Sequence, residues 1–420
     1  MGRGASDRDG IASPERRHGA RSAWRVATAR NFGPYFVGSA VSASGTWFHN
    51  LAASVLVFEL THSPVLLGVL NFCQFAPILV LAPWAGRVSD TYDRRSVLLV
   101  TQPVGAVISA ALALTAWTGH ATVAVVFAFS VALGSLNAFS NASQMAMVAS
   151  LVERADVPQA VALNSITYNL ARAIGPVSAA GVIALFGTAA AFAVNSVSFV
   201  VFTIGLLLVT TGHPARAAHT RLRESIAVLR AEPRLIGFFA VVLTVSFVTD
   251  PVNTEGPALA AAFGLSPEWA GAIVGVFGAG AVSAGVLVGG RQSSATRIAG
   301  TLVLVGLGIV GLGLSPWFGL ALAFAGAAGA GYLSSNAAAT AKLQLGVAES
   351  MWGRMMALWS VAFLGIRPVA SMIDGILAGT IGVRAATAIM ALPAFVLAGA
   401  MLVVSRRSSR QEATAPLRAA

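Results

Sequence analysis

Long hydrophobic stretches alternate with short polar connections from residue 32 to residue 404. A helix needs about 20 apolar residues to cross a hydrocarbon core of about 30 Å. The stretches reach that length repeatedly, so the pattern predicts an all-α, polytopic membrane protein with twelve transmembrane helices. The predicted spans are 33–58, 64–85, 96–117, 121–149, 159–186, 189–210, 234–262, 267–290, 298–314, 317–343, 352–380 and 383–405.

The positive charges predict how the chain is oriented. Of the 27 Lys and Arg residues, all except Arg172, Arg367 and Arg384 lie in the terminal segments or at connections that follow even-numbered spans. The positive-inside rule assigns that face to the cytoplasm. Both termini are therefore predicted to be cytoplasmic in a multi-pass protein of the inner or plasma membrane. The near absence of lysine beside abundant Arg, Ala and Gly indicates a bacterial source.

Composition agrees with a membrane protein and narrows its chemistry. Hydrophobic residues make up 56% of the chain and charged residues 10%, far from the usual balance of a soluble domain. The net charge of +11 follows from topology and anionic lipid, so nucleic-acid binding is not expected. The only cysteine, Cys73, lies within a span, and there is no metal-ligand spacing or nucleotide-binding motif. No cofactor is expected.

Polar segments divide the chain into parts. The first 30 residues are Arg-rich without an apolar core, which predicts a disordered tail and not a cleaved signal. In the longest internal polar stretch, Leu222, Ile226 and Leu229 share a helical face, which indicates an amphipathic surface helix. The predicted parts are a cytoplasmic tail at 1–30, a six-helix half at 31–210, a cytoplasmic linker at 211–233, a six-helix half at 234–405 and a cytoplasmic tail at 406–420.

Short motifs repeat between the two halves. Ser-Asn-Ala at 140–142 recurs at 335–337, and Ala-Leu-x-Ser at 162–165 recurs at 357–360, both at an offset of 195 residues. Farther upstream, the glycines at 68 and 86 match those at 271 and 289, at an offset of 203. Agreement in order and spacing indicates a parallel six-plus-six duplication, with a substrate site between the halves near the midplane.

The connection between spans 2 and 3 carries a family resemblance. Residues 86–95 read Gly-Arg-Val-Ser-Asp-Thr-Tyr-Asp-Arg-Arg. This resembles the loop signature of the major facilitator superfamily: Gly, three residues, Asp, Arg, one residue, Gly, Arg, then Arg or Lys. The matching positions are Gly86, Asp90, Arg94 and Arg95. Thr91 replaces the usual Arg and Asp93 the usual Gly, and the loss of that Arg weakens the match.

Two interpretations of this loop are open. Gly86 would let neighbouring helix ends approach, and Asp90 could accept from a helix N-terminus or pair with Arg94 and Arg95, which would latch the cytoplasmic side shut. Alternatively, the segment is a solvated turn with positive-inside arginines.

Further motifs make the chain similar to the siderophore- and drug-exporting branch of that superfamily, typified by the enterobactin exporter. These motifs are Arg-Asn-Phe at 30–32, Gly-Thr-Trp at 45–47, Thr-His-Ser-Pro at 61–64, Arg-Ala-Ile-Gly-Pro at 172–176, Gly-Arg-Met-Met-Ala at 353–357 and Gly-Ile-Arg-Pro at 365–368. Gly175 and Pro176 also resemble the Gly-Pro bend of the antiporter signature, where a bend and small residues allow helices to pack closely and rock.

Five charged side chains fall inside predicted spans, where charge is costly and usually functional or paired. They are Arg172 in span 5, Asp250 and Glu255 in span 7, and Arg367 and Asp374 in span 11. The three acids are candidate proton carriers. Alternatively, Asp250 caps backbone freed by Pro251, and the other two acids are hydrated gate residues near the outer mouth. The two arginines are candidates either for inter-helix ion pairs or for binding an anionic substrate.

Polar stripes mark the helix faces that turn away from lipid. Span 4 carries Asn137, Asn141 and Gln144, and span 5 carries Asn164, Tyr168 and Arg172, each set on one helical face. Both sets either line a cavity or form hydrogen bonds between helices. The remaining candidates for the same surface are Trp47, Asn50, Asn336 and Arg367. Spans 3, 6, 9 and 12 are expected to face lipid.

These features predict a secondary active transporter that exports a small organic molecule, such as a siderophore, an antibiotic or a drug-like compound, by proton-coupled alternating access. The expected partners are the substrate, protons and the lipid bilayer, and a monomer is expected. An importer or facilitator of a nutrient in the same fold is the alternative. An intramembrane enzyme would need clustered His, Asp and Glu at one membrane face, and the six histidines do not provide it.

Overall fold

A computed structural model describes residues 24–148, 150–210, 233–288, 294–347 and 351–414. These residues fold into α-helices and two short 3₁₀ turns, without a β-strand. The predicted amphipathic helix of the linker lies outside the described residues, as do the first 23 residues and the last six.

Five helices build the first half of the chain. They are α1 Phe32–Thr61, α2 Pro64–Thr91, α3 Arg94–Trp117, α4 Val123–Val148 and α5 Val157–Leu207. Helix α5 is 51 residues long, and its backbone leaves the helical region at Gly187, with φ 80° and ψ 174°. Glycine reaches this positive φ without steric cost. The helix therefore makes two crossings joined at Gly187, as the predicted boundary between spans 5 and 6 requires.

Ten helices build the second half, because three of its spans are interrupted. They are α6 Pro233–Val248, α7 Asp250–Thr254, α8 Gly256–Ala262, α9 Ala270–Val288, α10 Ala295–Leu314, α11 Phe318–Leu345, α12 Trp352–Gly365, α13 Arg367–Ile381, α14 Val383–Met390 and α15 Leu392–Thr414. A proline is the second residue of the helix after each of the four breaks, at Pro251, Pro257, Pro368 and Pro393. Proline has no N–H to continue the hydrogen bonds of the preceding helix but fits the first turn of a new one, which explains why the helices restart there.

The described helices confirm a polytopic all-α fold. Ten helical segments, three of which run across a break within a span, are long and apolar enough to cross a membrane, by length and composition. One of the ten contains the Gly187 break and supplies two crossings. Helix α1 falls outside this set because His49, Asn50 and other polar residues lower its hydropathy, but its 30 residues are long enough to cross. The described part of the chain thus makes the twelve predicted crossings.

Two boundaries differ from the sequence prediction. Residues 24–30, expected in a disordered tail, form a helical turn: Val26 is buried, and Arg25 pairs with Asp156 at 2.7 Å. Helix α2 continues to Thr91, so most of the expected loop after span 2 is helical and only Tyr92 and Asp93 connect α2 to α3. The hydrophobic pattern missed this extension because the last turns of α2 are polar.

The helices form two bundles that meet along two seams. Within the first bundle α1 packs on α5 and α2 on α4; within the second, α11 packs on α6, α9 and α10. The seams join α2 to α13 and α5 to α9. We call the helix ends near His62 and Gly382 the arginine-poor face, and those near Asp93 and Arg297 the arginine-rich face.

Both seams are closed near the arginine-poor face. A Cβ built on Gly375 of α13 would lie 3.1 Å from the Cα of Gly68 in α2. A Cβ on Gly271 of α9 would overlap the carbonyl oxygen of Pro176 and the Cβ of Ala180 in α5. Gly68 and Gly271 are equivalent at the 203-residue offset, and Ala180 and Gly375 at the 195-residue offset. The two seams are therefore built alike.

Hydrogen bonds also repeat between the bundles. The Ser140 hydroxyl donates to Thr101 Oγ1 at 2.9 Å, between α4 and α3. The Ser335 hydroxyl donates to Thr301 Oγ1 at 2.8 Å, between α11 and α10. The repeated Ser-Asn-Ala motif thus makes the same inter-helix contact in each bundle, which supports the duplication read from the sequence.

Candidate functional site

A polar cavity of about 190 Å³ lies within the first bundle. All six spans of that bundle contribute to its wall, whereas the second bundle contributes only Leu364 and Arg367. Asn141 and Tyr168 line it and are exposed, Tyr168 by 53%, whereas Ser130, toward the other end of α4, is buried. The cavity therefore opens toward the arginine-rich face and is closed toward the arginine-poor face.

Most of the predicted cavity residues lie in this wall. Those present are Trp47, Asn50, Asn137, Asn141, Gln144, Tyr168 and Arg367. The α4 stripe thus lines the cavity, as one of its two interpretations predicted. Asn164, Arg172 and Asn336 do not line it; Asn336 has a buried Oδ1 with no hydrogen-bond partner among the described residues.

A polar stripe on α1, which was not predicted from the sequence, also lines the cavity. Ser39, Ser42, Thr46 and His49 all line the cavity, and their spacing of three or four residues places them on one helical face. The same spacing of polar residues that identified the α4 stripe marks these four positions in the sequence. His49 is 4% exposed, its ring lies 5.5 Å from that of Phe192, and neither of its ring nitrogens has a hydrogen-bond partner in the described part of the chain.

Spans 3 and 6 were expected to face lipid, and this is wrong for one side of each. Gln102 of α3 and Asn195 of α5 line the cavity, and each is 1% exposed. The Asn195 amide donates to Ser109 of α3 at 2.9 Å, and Gln102 donates to Ser140 of α4 at 3.3 Å. Each is the only amide side chain of its span and therefore gives no periodic signal, so position in the family architecture misled the prediction.

Three buried carboxyl groups form a second polar site, in the second bundle. Asp250 is 5% exposed, and Glu255 and Asp374 are 0% exposed. Helix α7, which begins at Asp250, packs against α13, which carries Asp374, and the three carboxyl groups lie within electrostatic range of one another. The interrupted helices place these acids together, because Asp250 and Glu255 both stand at the breaks of span 7.

The hydrogen bonds of this carboxyl cluster are incomplete. Thr254 Oγ1 donates to Asp250 Oδ2 at 2.8 Å, so the Asp250 carboxyl is bonded by a side chain and not by backbone freed at Pro251. The carboxyl oxygens of Glu255 and Asp374 have no hydrogen-bond partner among the described residues. Glu255 and Asp374 are buried in this conformation, which is closed at the arginine-poor face, so their alternative role as hydrated gate residues stays a prediction for the opposite state.

Arg367 connects the carboxyl cluster to the cavity. Its guanidinium lies 5.0 Å from the ring centre of Phe75 and 5.5 Å from that of Phe363. It lines the cavity and also acts electrostatically on Asp250. In the described part of the chain it forms no ion pair within bonding distance.

Arg172 occupies an aromatic cage and lies outside the cavity. The guanidinium lies 5.9 Å from the ring centre of Trp47, 5.2 Å from that of Phe277 and 4.7 Å from that of Tyr332. Nη1 donates to the Tyr332 hydroxyl at 2.8 Å. Because Phe277 and Tyr332 belong to the second bundle, Arg172 ties the two bundles together. Aromatic faces attract a desolvated cation, which explains how the charge is held without an ion pair among the described residues.

The loop signature mostly forms helix ends, and its arginines bind within the first bundle. Arg94 Nη1 donates to Ala146 O of α4 at 3.0 Å, and Arg95 Nε donates to Leu206 O of α5 at 2.8 Å. Both carbonyls lie in a last helical turn, where cations are favourable. A Cβ on Gly86 would meet nothing within 4 Å, so the close approach assigned to Gly86 does not occur in this conformation. The latch remains a prediction for the opposite state.

We expect Arg94→Ala and Arg95→Ala each to lower the free energy of unfolding by about 1.5–3 kcal/mol, since each removes charge-assisted hydrogen bonds to helix-end carbonyls. Thermal unfolding of the purified protein measures this. Asp90→Asn should reduce transport, because an amide cannot form the ion pair with Arg94 or Arg95 that the latch interpretation requires. Full transport in Asp90→Asn would remove the latch interpretation.

Gly175 and Pro176, where the sequence predicts a bend, lie on α5 between α1 of the same bundle and α9 of the second bundle. A Cβ on Gly175 would approach Trp47 Cβ to 2.8 Å, and Pro176 O lies against Gly271 across the seam. A Cβ on Gly278 of α9 would come within 2.7 Å of Ala173 Cα. Small residues are therefore required on both sides of this seam, which fits the close packing expected there.

The fold and the two buried polar sites define a polytopic membrane transporter of the major facilitator type. A family model described as transmembrane secretion effector matches residues 21–418, and the chain belongs to this family. Its relatives include the staphyloferrin A transporter of Staphylococcus aureus (strain NCTC 8325 / PS 47), 27% identical over 166 residues, which are 39% of this chain and 42% of that protein. The match therefore spans less than half the length of that relative.

A second relative and several solved structures agree. The uncharacterized MFS-type transporter YfiS of Bacillus subtilis (strain 168) is 27% identical over 300 residues, 65% of this chain and 70% of that one. A bacterial homologue of the human lysosomal transporter Spinster superposes with a TM-score of 0.73 at 12% identity, over 89% of this chain and 96% of that chain. A peptide transporter of the POT family, bound to alafosfalin, gives a TM-score of 0.71 at 13% identity, over 93% and 99%. At such identities the superpositions demonstrate the fold alone.

Proposed function

We propose that the protein exports a small organic molecule from the cytoplasm by proton-coupled alternating access. The observation that supports this proposal most directly is the cluster of three buried carboxyl groups. Arg367, which lines the cavity of the other bundle, acts electrostatically on one of them, Asp250. An anionic carboxyl that is buried without a hydrogen bond is costly, and binding a proton removes that cost. Proton binding or release at this cluster can therefore be coupled to a change in packing between the bundles.

Two further observations support export. The family description speaks of secretion, and a relative is named for transport of staphyloferrin A; a siderophore-like or antibiotic-like substrate fits both. The cavity opens toward the arginine-rich face, which the positive-inside rule places in the cytoplasm. In that orientation the described conformation is the one that would load substrate from inside the cell.

Import in the same fold is the second candidate, and one observation favours it. Arg367 faces both the cavity and Asp250. An anionic substrate and the charge of Asp250 would compete for one guanidinium, so a proton on Asp250 would favour substrate binding. Mutual support of proton and substrate is the relation that a co-transporter needs.

Inside-out membrane vesicles separate export from import. With an acidified lumen, an exporter that exchanges protons should accumulate substrate from a panel of siderophores and antibiotics, and a protonophore should abolish the accumulation. Accumulation that requires ATP while the proton gradient is intact would contradict proton-coupled export. Uptake only into right-side-out vesicles with an acidic exterior would establish import instead.

A further inference from the structure

The cavity wall is rich in neutral hydrogen-bonding groups and contains no acid. Its lining includes seven Asn or Gln side chains, several hydroxyl groups, His49 and Arg367, but no Asp or Glu. The three carboxyl groups of the second bundle are not part of this wall. A cationic ligand would therefore find a positive guanidinium and no counter-charge among the lining residues.

Arg367 has unused hydrogen-bonding capacity. A guanidinium carries five N–H donors in a planar fork that matches a carboxylate. Within the described residues it makes no hydrogen bond and no ion pair; its contacts are the faces of Phe75 and Phe363. The rings pack against the guanidinium while its N–H groups stay available at the cavity wall.

Several other buried polar atoms in the wall are also unsatisfied. They are Nδ1 and Nε2 of His49, Nε2 of Gln74 and Oε1 of Gln102, none of which has a hydrogen-bond partner in the described part of the chain. His49 and Gln102 are at least nine-tenths buried. Buried polar atoms are normally satisfied, so an unsatisfied set around one cavity indicates a polar ligand.

We propose that the cavity binds a small polar anion, with its carboxylate on Arg367 and its hydroxyl or amide groups on the neutral side chains of the first bundle. The cavity of about 190 Å³ is smaller than the roughly 300 Å³ at which drug-sized sites begin. A large lipophilic cation thus fits neither the size nor the charge of the site. The inference rests on the proposed transport function but not on its direction.

Three ligands of one skeleton test the charge preference. Gluconate, sorbitol and glucamine are six-carbon polyol compounds whose terminal group is anionic, neutral and cationic, respectively. With the purified full-length protein in nanodiscs and no gradient, gluconate should bind about tenfold or more tightly than sorbitol, because a charge-assisted hydrogen bond is stronger than a neutral one. Glucamine should bind most weakly.

Variants of Arg367 then locate the preference. Arg367→Gln should make gluconate and sorbitol equivalent, and Arg367→Lys should keep a reduced difference because it retains charge without the planar fork. Arg25→Gln is the control for net charge. It removes an exposed arginine that pairs with Asp156 and does not line the cavity, so the three ligands should keep their wild-type order of affinity.

The proposal is overturned if the three ligands bind equally, if glucamine binds best, if gluconate shows no measurable binding, or if the preference survives in Arg367→Gln. If Arg367→Gln does not fold, the order of the ligands on the wild-type protein and on Arg367→Lys decides. Because the assay uses no gradient, a failure of proton-driven transport leaves this result standing. Conversely, gradient-driven transport of a cation would spare the proposed function and refute the anion site.

Discussion

Asp250→Asn is expected to abolish gradient-driven transport and to leave ligand binding and substrate counterflow intact. The amide keeps an acceptor for the Thr254 hydroxyl, which lies 2.8 Å from the carboxyl in the native protein, but it cannot gain or lose a proton. Asp250 is also the acid that acts electrostatically on Arg367. Its loss therefore removes the link between proton binding and the cavity. Proteoliposomes with and without a pH gradient measure the two activities separately.

The other acids of the carboxyl cluster sharpen this test. Glu255 lies farther along span 7 than Asp250, toward the membrane surface. From that position alone, Glu255→Gln would be expected to reduce gradient-driven transport less than Asp250→Asn does. The complete burial of Glu255 changes that expectation: Glu255→Gln and Asp374→Asn should each cause a comparable loss, because each removes one of three interacting carboxyl groups. Thr254→Val is the matched control; it removes the hydroxyl donor and should shift the pH dependence without abolishing coupling. Normal coupled transport in all three acid variants would exclude this cluster as the proton site.

Gly68→Ala is expected to reduce transport strongly by opening one seam. The new Cβ would overlap the backbone carbonyl of Ser371, and backbone cannot move aside as a flexible side chain can. Overpacking of this kind costs about 1–3 kcal/mol, which corresponds to a shift of about 5–150-fold away from the conformation closed at the arginine-poor face. Gly271→Ala, its equivalent on the other seam, should act in the same direction.

A single introduced thiol reports the seam directly. In a Cys73→Ser background, Val65→Cys places a thiol beside Gly379 at the arginine-poor end of the α2–α13 seam. Labelling by a membrane-impermeant maleimide should rise when Gly68→Ala is added. Gly300→Ala is the control, since a Cβ there meets nothing within 4 Å. Unchanged labelling and transport in Gly68→Ala would show that the seam does not limit the conformational change.

The number and limits of the spans followed from the sequence because hydrocarbon imposes a minimum length and internally satisfied backbone on every crossing. Even the join at Gly187 was predicted between two apolar stretches. A break in span 7 was anticipated only at Pro251, and the breaks inside spans 11 and 12 were not predicted, because a short interruption leaves the mean hydropathy unchanged. They place Asp250, Glu255 and Arg367 at helix ends.

The site was only partly predictable for a different reason. The α4 stripe of Asn137, Asn141 and Gln144 is periodic and was found, whereas Gln102 and Asn195 are isolated polar residues on spans assigned to lipid. Arg172 and Arg367 looked equivalent in sequence, since each is one charge within an apolar span. Their surroundings differ because residues distant in the chain supply them: aromatic rings for Arg172, and the cavity and Asp250 for Arg367.

The duplication places these two arginines at equivalent positions of the two halves. At the 195-residue offset Arg172 corresponds to Arg367, and at the 203-residue offset Trp47, beside Arg172, corresponds to Asp250, beside Arg367. Both arginines contact aromatic rings, but Arg367 also has Asp250 at the position where Arg172 has Trp47. On the proposed mechanism, one position of the repeat, Trp47 in one copy and Asp250 in the other, distinguishes the copy that can take up a proton from the copy that cannot.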